Sequence, residues 1–180
     1  MVIEQASERS SPRLVLRAGV AGDSSALPRP AFGVSGAIGL QGDIWAVQAT
    51  GAYFLRQRTS LPEDDERGGE LALWAVGPSA CGAPIRGWAR LELCAGSELG
   101  QMLGDGFGIS SPRHPAALWL ALLGAGQLSL GLTPNFRAYG TLGVAVRLTP
   151  DRPFILDGIA TVHEPSRVSG RAGLGVEVAF

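Results

Sequence analysis

Apolar residues alternate with small or polar ones through eight segments of roughly ten residues, and the connections between them alternate short and long. The last segment carries the same alternation to the final residue, Phe180. Together these observations predict an all-β fold, an eight-stranded antiparallel up-and-down transmembrane β-barrel. Residues 1–12 show no pattern and read as a polar N-terminal tail or linker; residues 13–180 read as the barrel domain.

The segments follow in order. Leu14, Leu16, Ala18 and Val20 share one face, with Arg17, Gly19 and Ala21 on the other. Phe32, Val34, Gly36, Ile38 and Leu40 then oppose Gly33, Ser35, Ala37, Gly39 and Gln41. The third segment sets Trp45, Val47, Ala49, Tyr53 and Leu55 against Ala46, Gln48, Thr50 and Arg56. The fourth, about Gly69–Pro78, is the least regular. The fifth places Ala89, Leu91, Leu93 and Leu99 opposite Arg90, Glu92, Gly96 and Glu98. In the sixth, Leu118, Leu120, Leu122, Leu128 and Leu130 oppose Trp119, Ala121, Ala125, Gln127 and Ser129. The seventh has Phe136, Ala138, Leu142, Val144, Val146 and Leu148 against Arg137, Tyr139, Thr141 and Arg147. The eighth has Ala172, Leu174, Val176, Val178 and Phe180 against Arg171, Gly173, Gly175, Glu177 and Ala179.

Which face points inward decides between two classes. A soluble barrel or sandwich turns its apolar face in and shows a charged or Thr-rich face to water. Here the less apolar face is mostly Gly, Ala and Ser with scattered Arg, Glu, Gln and Tyr, a poor solvent face but a fitting one for a narrow eight-stranded lumen. The reading adopted is therefore apolar face to lipid; the alternative is a soluble ligand-binding barrel with Leu118, Leu120, Val144, Val146, Leu174 and Val176 in its core. The connections favour the former. Gln41–Asp43, Ser79–Gly87 and Thr133–Asn135 are the shorter ones, and Gly22–Pro30, Gln57–Gly68, Leu103–Pro115 and Thr149–Ser169 the longer. Strict alternation suits an up-and-down barrel and not a Greek key.

Composition agrees. The 180 residues suffice for one domain, with 26 Gly and only 17 % charged residues against a usual quarter. So much Gly with so little charge suits a tightly curved sheet rather than a helical bundle or a disordered chain. The net charge of −1 offers no basic field for nucleic acid. Every basic side chain other than His is Arg, which reflects either base composition or the fitness of guanidinium for buried ion pairs. No apolar run reaches the roughly 18 residues of a spanning helix; Ala116–Gly126 is shorter and is broken by Gly. The start, MVIEQASERSSPR, has early acids and no apolar stretch, so the chain reads as a mature form or an excised domain, the alternative being a chain that is never exported.

The last strand, GRAGLGVEVAF, resembles the terminal strand of outer-membrane β-barrel proteins of Gram-negative bacteria, many of which end in an aromatic residue preceded by apolar residues at every second position. The matching positions are Phe180, Val178, Val176, Leu174 and Ala172. The overall plan is similar to the small OmpA- and OmpX-type barrels. This resemblance implies a location in the bacterial outer membrane, lipid as the surrounding partner, and a terminal strand read by the barrel-assembly machinery.

Candidate sites are few. Arg17, Gln48, Arg56, Arg90, Glu92, Glu98, Arg137, Tyr139, Arg147, Arg171 and Glu177 fall on the lumen parity, where charges have to pair because an isolated buried charge is costly. A salt-bridged plug is the expectation, and a general pore is not. Cys81 and Cys94, about the Ser79–Gly87 connection, are placed to bridge across a hairpin in an oxidising compartment; the alternative is two buried thiols. No metal site, cofactor or catalytic residue is expected. His163, Glu164 and Ser166 could be drawn as the catalytic group of a lipid-modifying enzyme, but neighbours on a loop lack the convergent geometry of a triad. His114 also falls on a loop, and Glu63, Asp64, Asp65 and Glu66 read as a solvated acidic tip. The expected role is structural or surface-interacting.

Overall fold

A computed structural model describes residues 11–61, 64–107, 116–150, 154–156, 160–163 and 166–180. The strands are β1 (Arg13–Asp23), β2 (Ala31–Gln41), β3 (Trp45–Leu61), β4 (Asp64–Ile85), β5 (Ala89–Phe107), β6 (Ala116–Gly131), β7 (Phe136–Arg147) and β10 (Val168–Ala179). Between β7 and β10 lies a short hairpin of β8 (Phe154–Leu156) and β9 (Ala160–His163). Each long strand pairs antiparallel with its sequence neighbour, β7 pairs with β10, and β10 returns to β1 from Val15↔Ala179 to Asp23↔Arg171. The sheet is therefore a closed barrel of eight strands, with no free edge along the paired region.

Closure leaves one face out and one face in. Leu14, Val20, Phe32, Val34, Ile38, Leu93, Leu99, Leu118, Leu142, Val144, Leu174 and Val176 are all exposed on the outside. The soluble alternative required several of these in a core; the barrel turns them outward instead. On β5, Ala89, Leu91, Leu93, Ala95, Ser97 and Leu99 share the outward parity, and the polar Gln101 and Asp105 appear on that face only farther along. At about 3.3 Å per residue on a tilted strand, that apolar stretch matches the roughly 25 Å lipid-facing band of a transmembrane barrel. An apolar belt of this extent is stable in lipid and not in water.

The start of β1, the end of β10 and the connections at 42–44, 86–88 and 132–135 sit at one end, here called the terminal end; the β1–β2, β3–β4 and β5–β6 connections and the stretch between β7 and β10 fall at the other, the loop end. Several expected boundaries are corrected. The turn expected over Ser79–Gly87 is only Arg86–Trp88, where Gly87 adopts a φ of 126°, and β4 continues to Ile85. The loop expected over Gln57–Gly68 is largely strand, because β3 runs to Leu61 and β4 starts at Asp64. The fourth segment, expected near Gly69–Pro78, is a strand of 22 residues. Strands β3 to β6, of 17, 22, 19 and 16 residues, thus form a tall wall facing a low wall of β7, β10, β1 and β2, of 12, 12, 11 and 11 residues.

The inner wall is shaped to receive one large ring. Tyr139 on β7 lies against Gly19 of β1 and Gly175 of β10; a Cβ at Gly19 would stand 2.9 Å from the Tyr139 hydroxyl, and one at Gly175 would stand 2.9 Å from its ring. Two glycines on neighbouring strands make the recess that takes the tyrosine in a narrow lumen.

Candidate functional site in the barrel lumen

The lumen is filled in two tiers. Nearest the terminal end, Glu92 on β5 is fully buried and accepts hydrogen bonds from four donors. These are Arg17 Nη2 at 2.7 Å, Arg90 Nε at 2.8 Å, Gln41 Nε2 at 3.1 Å and Gln127 Nε2 at 3.2 Å. Arg17 reaches on through Nε to Glu177 Oε2 at 2.7 Å and through Nη1 to Gln48. Arg90 Nη1 and Nη2 donate to the carbonyls of Asp43 and Gly42, each at 3.1 Å, which ties the tier to the β2–β3 turn. Arg137 Nε stands 3.9 Å from Glu177 Oε1. Side chains from β1, β2, β3, β5, β6, β7 and β10 thus meet in one network across the bore.

Farther toward the loop end, Glu98 receives a two-pronged Arg171, at 2.6 Å and 2.7 Å, and the Trp119 indole N–H at 2.6 Å. Arg171 Nε also donates to Asp23 Oδ2 at 2.9 Å, and its guanidinium lies over the Phe54 ring at 5.2 Å. The other Asp23 oxygen accepts the backbone N–H groups of Ser25 and Ala26 at 3.0 Å and 2.7 Å, an Asx-type turn that folds the β1–β2 connection inward. Ala26 and Leu27 are consequently buried among Phe54, Leu71, Leu73, Met102 and Trp119, an apolar cork at the loop-end mouth.

Between the tiers lies a chamber of about 170 Å³. Arg17, Gln48, Ser79, Gln127 and Tyr139 line it on one side, and Phe54, Glu98 and Arg171 on the other. The Ser79 hydroxyl is buried and faces this space without a protein partner. Cys81 and Cys94 are directly opposed on β4 and β5 and form a disulfide; Cys94 also lines the chamber.

The structure brings Arg17, Gln48, Arg90, Glu92 and Glu177 together in the first tier, with Arg137 at its edge, and puts Glu98 in the second. Tyr139 lines the chamber and Arg147 is buried on β7. Arg56 is not in the lumen. A register shift between Phe54 and Gln57 turns it outward, where it pairs with Asp105 on the outer surface. Sequence reasoning missed Asp23 and Phe54 as lumen groups, and it set Gln41 on the inward face without adding it to the network; Asp23 continues the parity of Arg17, Gly19 and Ala21, so following the alternation one step further would have found it. Among the described residues, no three His, Cys, Asp or Glu side chains converge on a metal-sized site. Of the sketched loop group, His163 ends β9, Glu164 lies outside the described residues, and the Ser166 hydroxyl donates to the Val168 carbonyl at 2.8 Å. His114 and Glu63 also lie outside the described residues, whereas Asp64, Asp65 and Glu66 open β4.

A closed eight-stranded barrel with an apolar outer belt and a charged, plugged bore defines a transmembrane barrel of the outer-membrane type. Solved structures agree on the fold. A major outer membrane protein from Thermus thermophilus superimposes with a TM-score of 0.71 at 13 % identity, covering 94 % of this chain and 100 % of the other. The N-terminal β-barrel domain of Pseudomonas aeruginosa OprF gives 0.57 at 16 % identity over 94 % and 100 %. Ail, the attachment invasion locus protein of Yersinia pestis, gives 0.54 at 15 % identity over 94 % and 97 %. No protein-family profile and no curated protein sequence matches the chain.

Proposed function

We propose that this chain is seated in a bacterial outer membrane as a closed barrel that does not conduct, and that it serves as a scaffold presenting its loop end for surface interaction. The observation that carries the reading is the bore itself: two cross-barrel ion-pair tiers, with an apolar cork above them, occupy the path a solute would take. Such a filling suits an eight-stranded lumen, which barely holds its own side chains. The lumen residues act in this reading as a plug rather than a ligand site or a catalytic centre. The tall β3–β6 wall would stand above the lipid at the loop end, because its extra length lies beyond the apolar belt. Planar-bilayer recording of the purified barrel tests this. Silence, or only brief small events, is expected; a stable, large, water-filled conductance overturns it.

The terminal strand carries a second role in the same proposal. Leu174, Val176 and Phe180 face outward at alternate positions, and the Phe180 backbone N–H closes onto the Leu14 carbonyl at 2.9 Å. As the period-two set Ala172, Leu174, Val176, Val178 and Phe180, they form the segment the assembly machinery would read. Phe180→Ala should fold from denaturant into detergent micelles almost as well as the parent, since its ring projects outward and the backbone ladder is untouched. Insertion of the same variant in cells should fall severalfold. Equal small losses in both settings would leave Phe180 as an ordinary lipid-facing side chain.

A further inference from the structure

Cys81 and Cys94 are direct partners across β4 and β5, and both carry the inward parity, Cys81 with Ser79 and Cys94 with Glu92 and Glu98. Their bridge therefore lies on the wall of the chamber, between the Arg17–Glu92 tier and the Arg171–Glu98 tier. On the other side of the same strands, Ala80 and Ala95 face outward with the lipid-facing belt.

Disulfides form by exchange. A cysteine thiolate attacks a sulfur of the oxidant's disulfide, a mixed disulfide results, and the second thiolate displaces it. The two thiols lose two protons and two electrons, and the oxidant's disulfide becomes a dithiol. When the oxidant is a protein, its active-site sulfur has to come within bonding distance of the target. A chamber of about 170 Å³ has room for a handful of waters, not for a protein loop. Access from the terminal end is blocked by Arg17, Glu92 and Glu177, and from the loop end by Leu27, Phe54 and Leu73, all of them buried. Access through the wall is blocked by the continuous backbone ladder.

We infer that the Cys81–Cys94 bridge is made before the barrel closes, by a protein disulfide acting on the unfolded chain or on a free β4–β5 hairpin, and that closure then shields it from exchange in either direction. The order has a use. β4 and β5 are the longest strands, and β4 is apolar on both faces over Leu71–Val76, where alternation specifies pairing weakly. A bridge between 81 and 94 sets that pairing before any other strand arrives, with only a short loop to close. The inference rests on the outer-membrane seat proposed above only for where the oxidant would be met, not for the shielding itself.

The test compares exchange rates in folded and unfolded protein. The reduced chain is folded into lipid vesicles, a purified thioredoxin-fold disulfide oxidase is added, and free thiols are counted by gel shift with a maleimide polymer after a denaturing acid quench. Oxidation should be at least about 100-fold slower than for the same chain in urea, where access is open. If the reduced chain does not fold, the reverse arm applies: the bridged, folded barrel is challenged with thioredoxin, and reduction should be slower by a similar factor than in urea. Oxidation or reduction of the folded barrel at the unfolded rate overturns the inference. Cell fractionation tests the membrane seat separately, so the two failures are distinguishable.

Discussion

The two ends of the lumen are filled by opposite chemistry. Toward the terminal end, Glu92 gathers Arg17 from β1, Gln41 from β2, Gln127 from β6 and Arg90 from its own strand. Toward the loop end, beyond the Arg171–Glu98 pair, the filling is Leu27, Phe54, Leu71, Leu73 and Met102. An apolar cork needs volume and tolerates rearrangement. A buried carboxylate with four donors needs each donor in place, because every one left over is a buried polar group without a partner. The charged tier therefore specifies how the strands are staggered around the barrel, and the cork fills what remains.

Removing the two carboxylates separates these roles most sharply. Glu92→Ala takes one shared acceptor from two guanidiniums and two amides at once. Arg17 keeps Glu177 and Gln48 and Arg90 keeps two turn carbonyls, but four donors lose a bond together, and the barrel should be destabilised by about 3–5 kcal/mol in urea unfolding from vesicles. Glu98→Ala should cost less, about 2–3 kcal/mol, since Arg171 keeps Asp23 and the Phe54 face, and the main loss is the acceptor of the Trp119 N–H. Equal losses would mean that the first tier is no more specifying than the second.

The cork comes next. Leu27→Ala should cost about 1–3 kcal/mol, the lower part of the range for a buried leucine because the mouth can partly collapse. It should open no conductance, as the Arg171–Glu98 pair remains beneath it. Combined with Glu92→Ala, the losses should add, because the residues share no partner. A loss well above the sum in the double variant would show that cork and tier act as one unit.

The same contrast explains what was legible in the sequence. Where the lumen is charged or small and the outside apolar, as on β1, β2, β5, β7 and β10, period-two alternation places each side chain on its face, and the closed barrel follows. On β4, Leu71 and Leu73 point inward while Trp74 and Val76 point outward, so the apolar cork erases the alternation. Pro78 and Pro84 read as breakers in the same strand, yet both side chains sit on the outside and pairing continues around them. Arg56 was lost to a different cause. A one-residue irregularity reverses parity beyond it, and nothing in the local residue types announces it. Glu98 was found by parity alone, whereas its partner Trp119 was seen as an inward residue without the bond that uses its N–H.

Arg56 supplies the smallest expected effect and a control for all the others. It is half-exposed and faces Asp105 and Glu70 on the outer surface beyond the apolar belt. Water and salt screen such a pair, and holding two long side chains together offsets most of what the contact returns. Arg56→Ala should leave the unfolding midpoint in urea unchanged within error, at both low and high salt. Arg17→Ala, a substitution of the same residue type, breaks contacts to Glu92 and Glu177, both fully buried, and should shift the midpoint clearly and with little salt dependence. The comparison holds chemistry constant and varies only place. If Arg56→Ala proved as costly as Arg17→Ala, stability would follow the number of ion pairs rather than their position in the bore, and the division between a specifying tier and a filling cork would fall with it.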